Sequence, residues 1–310
     1  MSAYWKRFRR QSAKSSSRRR SGPNDMSEPL SRSACTNITP RVSLECDMAM
    51  RYDAGAAAYD QLTGRWSQLF ADAALAAVKP EPGDSLLDLA TGTGDAAVLA
   101  SQILGSASTV VGVDLSVPML RVASQKSGAS HVFLVAADAS CLPFPNQSIH
   151  CVTCLFGLMF FPRPVSALCE LRRVLALRGR AALTMWACPE RAPFAGIMAE
   201  ALAAELPQDA TEILKPFSLS DPRVVLSHME AAGFDDIQVT ALSRYGSFAS
   251  VEEYLEPYER GGGRLGQFYL GMEDEARKRV NAQVRSRLQS VSSAGRINLQ
   301  IDAFLVSGAA

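Results

Sequence analysis

The run Leu86-Leu87-Asp88-Leu89-Ala90-Thr91-Gly92-Thr93-Gly94-Asp95 constrains this chain more than any other stretch of it. An apolar strand runs straight into glycines, which let the backbone turn sharply and approach a ligand, and the helix that follows offers unpaired N–H groups at its start. A strand of this kind needs a parallel sheet beside it and helices over both faces. The chain downstream supplies both.

Residues 85–90 predict a strand, 95–104 a helix with Ala and Leu on one face, and 109–114 a Val-rich strand. Residues 117–126 then predict a helix, 131–136 and 148–155 strands, 164–176 a helix, and 180–187 a further strand. Short connections between alternating strands and helices imply right-handed crossovers. Beyond Trp186 the alternation breaks. Residues 193–206 form an Ala-rich amphipathic pattern with no strand behind it, and the stretch to Pro216 reads as a lid over the substrate side. Asp221-Pro222 starts another helix, with a capping residue and Pro at its first position, which Gly233 stops. Strands over 236–243 and 297–306 enclose helices over 251–260 and 272–289, an insertion of about fifty residues that exceeds ordinary loop lengths. The expected fold class is α/β, a doubly wound, mostly parallel sheet of seven strands with helical lid insertions.

The glycine turn alone fits two chemistries. Gly92-x-Gly94-x-x-Ala97 satisfies the dinucleotide-binding pattern, and Asp114 stands twenty residues beyond Gly94, where a ribose-binding acid belongs. Asp88, four residues before the first glycine, would repel a pyrophosphate and favour a cationic amino-acid group. Asp114 ends the second strand, where an acid can accept from ribose hydroxyls; its bland alternative is a helix cap that Ser116 could equally provide. Asp138 with Ala139, before Leu142-Pro143-Phe144-Pro145, brings a third acid to the same edge, either for an adenine amino group or as a surface turn. Tyr52, Tyr59 and Trp66 recur every seven residues, as a core stripe or as a cover for the cofactor.

Together these motifs, with Met119, Phe156-Gly157-Leu158 and Glu170-Leu-Arg-Arg-Val-Leu before Gly179-Arg180, resemble class I S-adenosylmethionine-dependent methyltransferases, closest to the ubiquinone/menaquinone biosynthesis branch. The resemblance covers residues 52–186. It implies a Rossmann-like methyltransferase fold, S-adenosylmethionine as cofactor, and contacts to it from Asp88, Ala90, Gly92, Thr93, Gly94, Asp114, Leu115, Met119, Asp138, Ala139 and Leu155. Quinone-pathway members carry a small hydroxyl residue where Leu155 stands, so the acceptor departs from that pattern more than the cofactor does.

Methyl transfer from a sulfonium is a displacement with a neutral leaving group, so orientation and enclosure suffice and no metal is required. The expected acceptor is an O, C or N atom of a small molecule. Tyr59, Asp60, Glu190 and His228 are candidate bases, and nothing in the sequence selects one. A non-catalytic S-adenosylmethionine-binding protein and a nucleotide-cofactor oxidoreductase are the alternatives.

Charge separates the chain near Arg41. Residues 1–41 hold ten Lys/Arg and two Asp/Glu, leaving 22 basic and 29 acidic residues in the rest, a net charge of about −7 that argues against nucleic acid. Rich in Arg and Ser and without apolar periodicity, residues 1–41 predict a disordered basic tail before a methyltransferase domain over 42–310. Within that domain, 42–190 would be the cofactor-binding half and 191–310 the lid, insertion and closing strands. The tail fits a transit peptide, a basic arm around Arg18-Arg19-Arg20, or an extension upstream of a start at Met26, Met48 or Met50; the globular pattern from about Arg51 favours the last. Seven cysteines at 35, 46, 141, 151, 154, 169 and 188 show no framework spacing, which suits a reducing, cytoplasmic setting, or an organellar one if the tail is a transit peptide. No apolar run reaches the ~18 residues of a membrane span.

Overall fold

A strand whose side chains are buried on both faces needs cover above and below, and β1 (Ser85–Leu89) is buried at every position from Leu86 onward. The computed structural model describes Tyr59, Asp60 and residues 64–126, 128–293 and 296–310. The chain divides into Met1–Pro40 and Arg41–Ala310, and the described residues belong to the second unit. The expected tail, Cys35, Cys46 and Tyr52 lie outside the described residues.

β1 is joined by β2 (Thr109–Asp114), β3 (Val132–Ala136), β4 (Ile149–Leu155), β5 (Leu175–Trp186), β6 (Asp235–Phe248), the two-residue β7 (Ser292–Ser293) and β8 (Arg296–Ala309). Seven of them run in the order β3-β2-β1-β4-β5-β8-β6, with β7 paired to β8 off that path. β3, β2, β1, β4 and β5 are mutually parallel, while β8 lies antiparallel to both β5 and β6. The mostly parallel, seven-stranded expectation holds.

Helices α1 (Ala71–Val78) and α2 (Asp95–Leu104) cover one face. Their Ala74, Leu75, Val78, Ala97 and Ala100 close over Leu86, Val110, Cys151 and Leu305. Leu87 and Val152, one residue along their strands, are also fully buried, so the opposite face is covered too. α3 (Val117–Ser124) follows β2, and α4 (Pro164–Val174) precedes β5. α5 (Pro193–Glu205), α6 (Pro222–Ala231), α7 (Val251–Glu259), α8 (Gly263–Leu270) and α9 (Asp274–Ser290) complete the described helices used below.

Three boundaries differ from expectation for physical reasons. α4 stops at Val174, and β5 begins five residues early; the register jumps from Ile149–Leu175 to Cys151–Arg180, so residues 176–179 bulge, with Arg178 at φ 65°. β6 continues to Phe248 because the first half of β8 supplies its partner, from Arg244–Ile301 to Phe248–Ile297. The insertion contains a third helix, α8, which opens directly from a glycine-rich turn. No described helix is long and apolar enough to cross a membrane.

Candidate functional site

Parallel strands present their carboxyl ends at one edge of the sheet, where ligands of such folds bind. Here that edge opens into a cleft of about 990 Å3, its mouth included, at the ends of β1, β2 and β4 and just beyond β3. Ala90, Gly92, Asp114, Leu115, Met119, Asp138, Ala139 and Leu155 line it. Asp88, Thr93 and Gly94 are not among its lining residues, although each shapes the turn.

The turn is left-handed at three positions, with φ of 53° at Ala90, 55° at Gly92 and 86° at Gly94. A side-chain carbon at Gly94 would meet the Ala123 methyl at 2.9 Å, so a glycine is needed there for α3 to close on the turn. Gly92 donates its N–H to Asp114 Oδ2 at 2.8 Å, and Ser116 donates its N–H to Asp114 Oδ1 at 2.9 Å. Asp114 thereby fixes the first strand's turn to the end of the second strand while lining the cleft. The cap of α3 is Ser116, whose hydroxyl accepts from Met119 N–H, so Asp114 is not serving as that cap. Asp138 accepts from both the N–H and the hydroxyl of Ser140, at 2.7 and 2.9 Å, which makes its turn and its place at the cleft one feature.

Asp88 requires a correction to the electrostatic expectation. Its side chain is buried beneath the turn and accepts from the Thr91 hydroxyl at 2.6 Å and the Thr153 hydroxyl at 2.8 Å. Burial pushes its pKa up to about 6, against these two hydrogen bonds, which lower it. It organises the turn from below and does not reach the cleft. Because the folded pKa lies above the unfolded value, the cost of ionising Asp88 is absent at low pH and grows as pH rises from about 4 through 6. Asp88→Asn should therefore gain stability relative to wild type across that window, by up to about 2–3 kcal/mol. Melting temperatures of both proteins between pH 4 and 8 check this; parallel curves would show that the carboxylate carries no such cost.

Thr93 donates its hydroxyl to Asp60 Oδ1 at 2.5 Å, and Lys126 Nζ bridges Asp60 at 2.7 Å and Asp95 at 2.5 Å. This cluster ties the segment before β1 onto the glycine turn. Lys126 was not legible as a site residue: its partners lie 66 and 31 residues away, and no local pattern announces them.

Sequence reasoning also missed Phe160, Phe161, Pro162 and Arg163, which line the cleft just after β4. The signal was an apolar run between a strand and a Pro-started helix. A second cavity of about 490 Å3, its mouth included, shares Tyr59, Phe156 and Phe160 with the first and is walled further by Trp186, Phe194, Tyr258 and Arg264. Tyr59 stands at the junction: a side-chain carbon on Gly92 would lie 3.9 Å from its ring, and one on Gly263 would lie 3.4 Å away. Trp66, by contrast, is core, packed on Phe194 and Phe248. Of that stripe, Trp66 is core and Tyr59 lines the cleft.

The candidate bases separate in the same way. Asp60 is engaged by Thr93 and Lys126, and His228 lies on α6 and lines neither cavity. Glu190 too lines neither cavity. Tyr59 is left as the candidate in contact with both. Cys151 and Cys154 are buried free thiols whose pKa values burial raises to about 11 and 12, which fits packing and not redox chemistry. Among the described residues no group of three or more His, Cys, Asp or Glu could hold a metal ion.

A model of the ubiE/COQ5 methyltransferase family matches residues 49–195. A demethylmenaquinone methyltransferase of Thermus thermophilus is 39% identical over 42% of this chain and 58% of its own length. One from Corynebacterium kroppenstedtii is 33% identical over 52% of this chain and 69% of its own length. The chain thus spans little more than half the length of the first of these relatives. Among solved structures, phosphoethanolamine N-methyltransferase 2 of Haemonchus contortus, in complex with phosphomonomethylethanolamine and S-adenosylhomocysteine, is 21% identical. The match covers 87% of this chain and 61% of that one, with a TM-score of 0.53, a likeness of fold.

Proposed function

The chain belongs to the ubiE/COQ5 methyltransferase family, and from that premise we propose that it transfers a methyl group from S-adenosylmethionine to a small ring acceptor of the quinone type or related to it. The observation that carries this reading is Asp114: a carboxylate that lines the cleft at the end of β2 while its oxygens hold the N–H groups of Gly92 and Ser116. A carboxylate at the carboxyl end of a parallel strand, beside the glycine turn, suits the hydroxyls of a ribose.

The rest of the cleft fits the same cofactor. Gly92 offers backbone where a side chain would crowd the methionine part, Leu115 and Met119 give apolar cover for an adenine, and Asp138 supplies an acceptor beside them. When bound, S-adenosylmethionine supplies an electrophilic methyl group whose sulfur leaves neutral. The work of the protein is then to orient and enclose. Tyr59, Phe156 and Phe160, common to both cavities, would exclude water at the junction between donor and acceptor. α5 and the α7–α8 segment contribute Phe194, Ala195, Tyr258 and Gly263 to the second cavity, which supports the lid and insertion as the acceptor side. Free cysteines support a reducing compartment, and we take the cytoplasm as the place of action.

Titration calorimetry with S-adenosylmethionine and S-adenosylhomocysteine tests the first half of the proposal, and a methylation screen against quinols, phenols and small acids tests the second. Binding of both cofactor forms with methylation of a ring acceptor is expected. A folded protein that binds neither form would end it.

A further inference from the structure

Resting on the methyl-transfer reading, we infer that Lys126 is a positioning residue: it latches Asp60 to the glycine turn and so holds Tyr59 over the amino-acid end of the cofactor. Separate segments of the chain meet at this latch. Lys126 lies just past α3, the helix whose Ala123 packs on the turn at Gly94. Its ammonium donates to Asp60 Oδ1 at 2.7 Å, to Asp95 Oδ1 at 2.5 Å and to the Thr93 hydroxyl at 3.3 Å. Thr93 donates in turn to the same Asp60 oxygen, at 2.5 Å.

The packing leaves the latch little slack. A side-chain carbon at Gly64 would stand 2.9 Å from Asp60 Oδ1, 3.4 Å from Asp95 Oδ2 and 3.5 Å from the Thr93 hydroxyl oxygen, so these groups close over a position that has no side chain. The Lys126, Asp60 and Asp95 side chains are 20%, 33% and 22% exposed, whereas ion pairs in open water hold little. Lys126 is the cation that the two acids share. Burial pushes the Asp95 carboxyl up, the Lys126 ammonium pulls it back down, and the charge of Asp60 adds to the rise. Without the ammonium the two carboxylates would repel each other, and Asp60 would keep only the Thr93 hydroxyl.

What the latch positions is Tyr59, the neighbour of Asp60 along the chain. Tyr59 lines the cleft, and its ring would lie 3.9 Å from a side-chain carbon on Gly92. On the proposed reading the methionine part of the cofactor passes at Gly92, while Asp114 and Asp138 serve its ribose and adenine at the ends of β2 and β3. The latch therefore bears on one end of the ligand and not on the other.

S-adenosylhomocysteine and 5′-methylthioadenosine, which keeps the adenine and ribose but lacks the amino-acid part, are titrated into the full chain. Lys126→Met should weaken S-adenosylhomocysteine about five- to tenfold, the worth of a charge-assisted bond discounted for partial exposure, and leave methylthioadenosine unchanged. Lys126→Arg, which keeps the charge, should recover most of the loss. Unchanged affinity for both ligands in Lys126→Met overturns the inference; so does an equal loss of both, which would make Lys126 a support of the whole cleft. Hydrogen exchange in the ligand-free chain reads the latch without any cofactor. The peptide that carries Tyr59 and Asp60 should exchange faster in Lys126→Met than in the wild type, and equal rates overturn the inference. Should Lys126→Met not fold, Asp60→Asn, which weakens the same pair from its other side, decides by the same two measurements, with the same outcomes expected and the same ones fatal. A wild type that binds neither ligand, beside a Lys126→Met protein with the faster exchange, supports the latch and overturns the methyl-transfer reading alone.

Discussion

Asp114→Ala should weaken S-adenosylmethionine binding at least about tenfold, since charge-assisted hydrogen bonds contribute roughly 1.5–3 kcal/mol each. Two losses add. On the proposed reading the ribose hydroxyls lose their acceptor, and the Gly92 N–H loses the bond that fixes the glycine turn. The fold should survive, because Asp114 is half-buried at a cleft and the cap of α3 is the Ser116 hydroxyl. Asp114→Asn separates charge from shape. Its single carbonyl oxygen can accept from Gly92 or from Ser116, and its amide then faces the other N–H, so its affinity should fall between wild type and Ala. Calorimetric titration with S-adenosylhomocysteine on both folded variants is the measurement. Wild-type affinity in both would remove Asp114 from the cofactor site and leave it as a brace for the turn.

The half of the protein around Asp114 was legible because local rules and global fold agree there. The β1 turn, the Val-rich β2 and the Pro-started helices each announce themselves within a few residues, and the cleft follows from where parallel strands end. Asp88 shows the limit of that legibility. Its position four residues before Gly92 was correct as a sign of the turn, but side-chain direction along a strand decides whether an acid faces the ligand or the core, and here two threonine hydroxyls hold it inside. Long-range pairs were less legible still. Asp60, Thr93, Asp95 and Lys126 meet only once the sheet has formed.

The second half defied pattern reading for a different reason. β6 carries exposed residues at most of its positions, so its continuation through Arg244 and Tyr245 to Phe248 has little apolar signal; pairing with β8 creates it. α5 is nearly all buried, from Phe194 to Ala203, and its closeness to its neighbours depends on one residue without a side chain. The second cavity takes Phe194 and Ala195 from α5, Tyr258 from α7 and residues 263–265 from α8, elements brought together only by the fold, so the sequence does not show it.

That one residue gives the largest expected loss of stability. Gly196 lies on α5 against the turn Pro189–Arg191, and a side-chain carbon built on it would stand 2.0 Å from the Pro189 carbonyl oxygen, 2.6 Å from its carbonyl carbon and 2.8 Å from its Cα. All three obstacles are backbone. The Pro189 carbonyl is also held by the Ala192 N–H, at 3.3 Å, so it cannot swing aside cheaply. Overpacking costs typically 1–3 kcal/mol, and a clash with pinned backbone belongs at or above the upper end, so Gly196→Ala should cost about 3 kcal/mol or more and lower the melting temperature by roughly 5–10 °C. The displaced element is specific. α5 carries Phe194 into the second cavity and is tied to α7 by Met198 N–H donating to the Tyr254 hydroxyl and by the Tyr258 hydroxyl donating to the Phe194 carbonyl. The cleft at the ends of β1, β2 and β4 has no lining residue from α5. Below its melting temperature the variant should therefore keep S-adenosylhomocysteine affinity while losing affinity for ring ligands of the second cavity, both read by calorimetry. A wild-type melting temperature would mean that α5 does not approach the Pro189 turn this closely, and an equal loss of both affinities would mean that the two cavities are not separable parts of the fold.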